Sequence, residues 1–181
     1  MAAGNPVGLY EDFLGVVSAA YNNAAAYLSI TFGFSVLVAI VLPVPIEVVL
    51  IAPILEQRWG YLLAVIFAMA SGKTVGAWAI FYLGLRVEGG IRRWADRYKW
   101  IDRFVEWCER FVRRTNYIGL YVLLSIPLMS DTVPLYLYSL FNEEGKALDR
   151  RAFLISNFLA AWTRAGFLVL VYLAFDTFLV R

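Results

Sequence analysis

Residues 40–55 read IVLPVPIEVVLIAPIL. Pro43 and Pro45 close the apolar run that begins at Ala24, and Glu47 follows inside an otherwise apolar stretch. Two prolines at that spacing do not fit an undisturbed helix. Each removes an amide donor, and each pushes the residue before it out of helical conformation. The apolar piece after them, Val48 to Leu55, is too short to cross a bilayer, which takes about 20 apolar residues. A run that enters, a proline break and a short run back predict a re-entrant hairpin.

The surrounding composition agrees. Of 181 residues, 61% are hydrophobic, and the mean hydropathy is +0.68. Soluble domains are nearer to about 45–50% apolar, so lipid is the expected solvent. Tyr61 to Leu85 and Ala152 to Val180 are long enough for full spans, and Glu56, Arg58 and Trp59 mark an interface before the first of them. Cys108 is the single cysteine, which excludes an intrachain disulfide, and the chain has no histidine. Imidazole metal sites and histidine general bases are thereby excluded. No cofactor, no nucleic-acid partner and no enzymatic activity is expected. Glu11 and Asp12, without a basic run before them, do not have the pattern of a cleaved signal. Residues 1–23 leave open whether they span or lie on the membrane.

Nine of the sixteen Lys and Arg residues lie between Arg86 and Arg114, and none precedes Arg58. Within that charged stretch Ile91, Trp94, Tyr98, Ile101, Val105, Cys108 and Val112 recur at alternating spacings of three and four, the helical period. An amphipathic helix over 86–116 is predicted, lying on the membrane surface with its arginines toward headgroups. A coiled-coil helix packed on a partner is the alternative. Tryptophan favours the interface.

The second half repeats the first. Residues 123–136 read LLSIPLMSDTVPLY. Pro127 is followed four residues later by Asp131, as Pro43 is by Glu47, and Pro134 adds a second break as Pro45 does. A span then follows with one cation near its middle, Lys73 in the first half and Arg164 in the second. Gly76 and Tyr82 are matched by Gly166 and Tyr172. One full span separates the two hairpins, so they enter from opposite faces. That is an inverted repeat, the plan of many secondary transporters. The predicted fold is an all-α integral membrane protein: an N-terminal helix (1–34), a re-entrant hairpin plus transmembrane helix (35–85), the amphipathic surface helix (86–116) and a second hairpin plus helix (117–181). Twelve Lys and Arg residues fall in 86–116 and 142–151. The positive-inside rule therefore puts that face in the cytoplasm of a multi-pass plasma or inner membrane protein.

Pro43-x-Pro45-x-Glu47 in an apolar hairpin, followed by Gly72-x-x-x-Gly76 and Tyr82-x-Gly84, resembles the DedA / VTT-domain family, also called the SNARE-associated Golgi protein family. The resemblance covers roughly residues 35–175. It departs from the family's R-x-x-P-G-x-R in the second hairpin, where Leu124, Leu128 and Ser130 surround Pro127. This marks a divergent, archaeal-type branch. The resemblance implies lipid handling: scrambling of phospholipids or return of polyprenyl-phosphate carriers across the bilayer.

Glu47, Lys73, Asp131 and Arg164 are the candidate transport residues. An ionisable group at a helix centre costs about 2.5–3.5 kcal/mol on insertion scales, so each should face protein or water. The cations would hold an anionic lipid headgroup, with the acids paired to them or exchanging protons. Two buried ion pairs that only fix the fold are the alternative. Pairing between the repeats (Glu47 with Arg164, Asp131 with Lys73) is expected over pairing within them. Gly72, Gly76, Gly84 and Gly166 are expected at close helix crossings. Ser71, Thr74, Ser130 and Thr132 are further hydrogen-bonding candidates. A lipid flippase or scramblase without ATP hydrolysis leads. Gly72-Lys73-Thr74 lacks the first glycine of a phosphate-binding loop, where Phe67 stands. A proton- or ion-coupled solute transporter and a non-transporting scaffold are the alternatives. A homo-oligomer is compatible with each.

Overall fold

The computed structural model describes residues 15, 19–21, 23–42, 45–95, 99–127, 129–141 and 149–179; residues 84–95, 99–106, 109 and 176–179 are described as backbone. Pro43, Val44, most of residues 1–22 and residues 142–148 lie outside these. All elements described are helical: α1 (Ala24–Ile40), a 3₁₀ helix (Ile46–Leu50), α2 (Ile51–Leu55), α3 (Trp59–Ala95), α4 (Lys99–Ser125), α5 (Thr132–Leu140) and α6 (Arg150–Leu179).

Local chemistry sets the ends of the first hairpin. The Asn23 side chain accepts from the Ala26 amide at 3.2 Å and starts α1. The helix stops at Ile40, just ahead of the prolines that cannot continue it. After the break Pro45 caps the 3₁₀ helix. At the far end, Arg58 N–H donates to Pro53 and Gln57 N–H to Ile54, both at 3.0 Å. These two bonds and Gln57 at φ 54° form a Schellman cap that reverses the chain into α3.

Among the described residues two helices are long and apolar enough to cross a membrane, Trp59–Leu83 with 25 residues and Arg150–Phe175 with 26. At 1.5 Å per residue each covers roughly 37 Å, more than the roughly 30 Å of a hydrocarbon core. Their outer faces carry Leu63, Phe67, Ile155, Leu159, Leu170 and Phe175, all exposed.

The predicted helix over 86–116 is not a separate element. Its first ten residues continue the preceding span, since α3 runs unbroken to Ala95, and a new helix begins at Lys99. The composition changes at Arg86 while the helix continues. Nothing there ends a helix. At Asn116, the predicted boundary between this helix and the second hairpin, α4 leaves helical geometry (φ 49°, ψ −150°) and then resumes to Ser125.

α1 packs on α3, α4 on α6, and α3 on both α5 and α6. Two apolar clusters result. One gathers Tyr27, Val38, Ile46, Leu50, Val65 and Met69 with Ala165. The other gathers Ala77, Ile80, Phe81, Leu124, Leu135, Tyr138 and Ala160. Lys73 lies between Met69 of the first cluster and Ala77 of the second, and Arg164 between Ala160 of the second and Ala165 of the first. Both cations therefore stand at the seam.

Candidate functional site

At the seam four buried charges converge. Lys73 Nζ lies 2.8 Å from Glu47 Oε1 and 2.7 Å from Asp131 Oδ2. Arg164 Nη1 lies 2.9 Å from Glu47 Oε1 and 2.8 Å from Asp131 Oδ1. Each cation touches both acids and each acid touches both cations, so the ring is closed and neutral. All four residues are at most 5% exposed. Taking one charge out of water costs several kcal/mol, offset only when geometry and hydrogen bonding are good. Here every charge has two partners of opposite sign. The structure does not choose between the two pairings weighed from sequence. The expected preference for pairing between the repeats is corrected: both sets form together.

The two acids are held differently. Asp131 stands at the N-cap of α5, where an aspartate ordinarily accepts from its own helix, yet its side chain makes no capping bond. Both of its oxygens go to the cations. Glu47, in the 3₁₀ helix, gives only Oε1 to them, and its Oε2 is buried with no protein partner. Arg164 Nε and Nη2 and the hydroxyl of Ser130, next to Asp131, are buried and unpartnered as well. The cluster has donor and acceptor capacity that the four-way ring does not use.

The tips of the hairpins lock together around it. The Thr132 hydroxyl donates to the Val38 carbonyl at 3.2 Å and the Tyr136 hydroxyl to the Ile40 carbonyl at 3.1 Å. These are carbonyls of the last turn of α1, which a helix end leaves without an internal donor. The Ser139 hydroxyl donates to the Ile80 carbonyl of α3 at 2.7 Å, and the Tyr138 and Thr115 hydroxyls share a bond of 2.6 Å. Thr132 was among the hydrogen-bonding candidates; Tyr136 and Ser139 were not. Their signal was present, because 132, 136 and 139 fall on one face of a helix and form a hydroxyl stripe in an apolar segment.

An apolar groove of about 180 Å³ reaches the cluster from the side. Glu47 lies in its wall, with Leu50, Ile51, Ile54 and Leu55 of the first hairpin on one flank and Leu168, Val171 and Tyr172 of α6 on the other. Among the described residues no three His, Cys, Asp or Glu side chains gather in a way that would hold a metal ion.

The remaining candidates are placed as follows. Pro45 precedes the 3₁₀ helix and Pro127 follows the end of α4 in a turn. Pro134 is in the first turn of α5, beyond the break, where its missing N–H costs no helical bond. A side chain on Gly72 would collide with the Phe32 carbonyl, and one on Gly76 would come within 2.6 Å of Ala39 Cβ. Both glycines serve the α1–α3 crossing. Gly166 differs from expectation: a Cβ there would meet nothing within 4 Å, because it lies on the outward face of α6. The surroundings of Gly84 lie outside the described side chains. Thr74 donates to the carbonyl of Ala70 in its own helix. Compared with known protein families, with curated proteins and with solved structures, the chain gives no match.

Proposed function

We propose that the protein moves an anionic lipid across a membrane without hydrolysing ATP, by way of the four-charge cluster. The observation that carries this reading is the pairing of an incompletely used charge cluster with a lateral apolar groove. Glu47 belongs to both. A lipid needs both surfaces: a polar centre that competes for the headgroup, and an apolar flank along which the chains travel. A solute transporter needs only the first, and a scaffold neither.

On this reading the helix–break–helix units 24–55 and 117–140 are re-entrant hairpins entering from opposite faces of a plasma or inner membrane. The packing of each ingoing arm on the span of its own half, α1 on α3 and α4 on α6, supports an inverted repeat. The stretch 99–114 and the start of α6 then lie at the cytoplasmic headgroups, in keeping with their basic residues. Membership of the DedA / VTT-domain family remains part of the proposal, carried by Pro45, Glu47, Gly72 and Gly76.

The test is translocation of a labelled anionic phospholipid in vesicles containing the purified protein. Glu47→Gln keeps the shape and removes the charge, and Leu168→Trp fills the groove from the α6 side. Each should reduce the rate to that of protein-free vesicles. If both variants move lipid at the wild-type rate, the charges serve the fold alone and this function is wrong.

A further inference from the structure

A second groove lies on the other side of α6, remote in sequence from every residue of the charge cluster except through that helix. It measures about 400 Å³ and is bounded by Tyr117, Ile118 and Tyr121 of α4 and by Ile155, Ser156 and Leu159 of α6. The Ser156 hydroxyl is spent on the Tyr117 carbonyl at 3.4 Å, so the walls offer apolar surface. The volume falls within the range of about 300–1,000 Å³ typical of ligand pockets.

Beyond one end of this groove both segments that line it turn basic in sequence. Arg151 is exposed and precedes Ile155 and Leu159 by four and eight residues in an unbroken helix, so it continues the stripe that lines the groove. Arg114, also exposed, precedes Tyr117 by three residues on the opposite wall. Arg150 at the same level donates to the Tyr82 hydroxyl at 2.7 Å. The acid there, Asp149, accepts from the Arg151 amide at 3.2 Å at the start of α6. The irregular backbone of Asn116 falls between Arg114 and Tyr117. Its conformation is one that residues other than glycine rarely hold, at about 1–3 kcal/mol, and such strain collects at ligand clamps.

The geometry points to a binding site for one anionic phospholipid, an acyl chain lying in the α4–α6 groove and the phosphate held at the level of Arg114 and Arg151. Basic pockets between membrane helices on the cytoplasmic side recognise acidic headgroups in this way. The lipid bound here is a resident one. It rests on the membrane placement of α4 and α6 and is independent of whether lipid passes the Glu47 cluster.

Native mass spectrometry of the whole chain, released from a neutral detergent, tests this with phosphatidylglycerol and phosphatidylcholine of identical chains. Phosphatidylglycerol should be retained at least five-fold more tightly. Arg114→Gln and Arg151→Gln should each weaken it about five-fold, the value of one basic residue at a lipid surface, and leave phosphatidylcholine unchanged. Ile155→Trp, filling the groove, should weaken both lipids. These positions are all exposed, and circular dichroism verifies that the variants fold. Equal retention of the two lipids, or arginine variants with unaltered phosphatidylglycerol binding, overturns the proposal. So does efficient crosslinking of Ile155→Cys to a second copy in membranes, which would make the groove a chain–chain interface.

Discussion

In the hairpin 24–55 the arm that returns from the break is a five-residue 3₁₀ helix followed by a five-residue α-helix containing Pro53. In the hairpin 117–140 it is a nine-residue α-helix. The second arm is pinned along its length: Thr132 and Tyr136 bond the end of α1, and Ser139 bonds α3. The first arm is tied back to its own hairpin, where the Tyr27 hydroxyl donates to the Val49 carbonyl at 2.6 Å. Toward α6 it leaves the groove at Glu47. The acids follow the same division, Asp131 using both oxygens and Glu47 one. Two halves that match in sequence thus divide the work. On the proposed function, the second hairpin holds the site together and the first gives access to it.

The comparison breaks at the cations, each of which bonds the acids of both hairpins. Lys73→Gln or Arg164→Gln leaves two carboxylates facing one buried cation. Each should lower stability by about 3–5 kcal/mol, the cost of breaking a buried pair, read by denaturant unfolding in micelles. A loss below about 1 kcal/mol for both would mean that water reaches the cluster freely.

The two acids sharpen it. Glu47→Gln keeps the oxygen that accepts both cations and puts its amide where Oε2 had no partner. Asp131→Asn must turn its amide toward Lys73 or Arg164. Both variants lose one negative charge, so that cost cancels in the comparison. Asp131→Asn should be the less stable of the two by about 1.5–3 kcal/mol, the worth of a hydrogen bond to a charged group. Translocation should rank them the other way, with Glu47→Gln the more impaired per folded molecule.

The glycines give a smaller contrast. Gly72→Ala overpacks the α1–α3 crossing and should cost about 1–3 kcal/mol. Gly166→Ala faces open space and should stabilise α6 by up to about 1 kcal/mol through helix propensity. Smaller still, Gln57→Gly relieves a left-handed residue at the end of the first hairpin and should gain about 1 kcal/mol. Thermal unfolding in one detergent ranks all three.

The four charges were legible because ionisable side chains in apolar runs stand out, and the breaks because Pro45 and Pro127 cannot sit inside a helix. The four-way ring was not legible. Sequence separations of 26 and 117 residues, from Glu47 to Lys73 and to Arg164, carry no information on which nitrogen meets which oxygen. Gly166 repeated the pattern of Gly76, but a repeat does not say which face of its helix packs. The continuation of α3 past Arg86 was missed because a change from apolar to charged composition resembles the edge of a helix, while no breaker residue ends the helix there. At Asn116 the sequence did carry a signal: asparagine holds positive φ more readily than most residues, and its Oδ1 accepts from the Tyr117 amide at 2.8 Å where the charged stretch gives way to the apolar one.

The claim that lipid reaches Glu47 through the groove beside α6 is tested most directly by closing that groove. Ile51→Cys and Val171→Cys, on opposite flanks, can be bridged by a short bismaleimide in a Cys108→Ser background. Translocation of a labelled anionic phospholipid is then followed in vesicles. The bridged protein should fall to the protein-free rate, while each single cysteine capped by the same reagent stays active. A bridged protein that moves lipid at the unbridged rate would contradict the account.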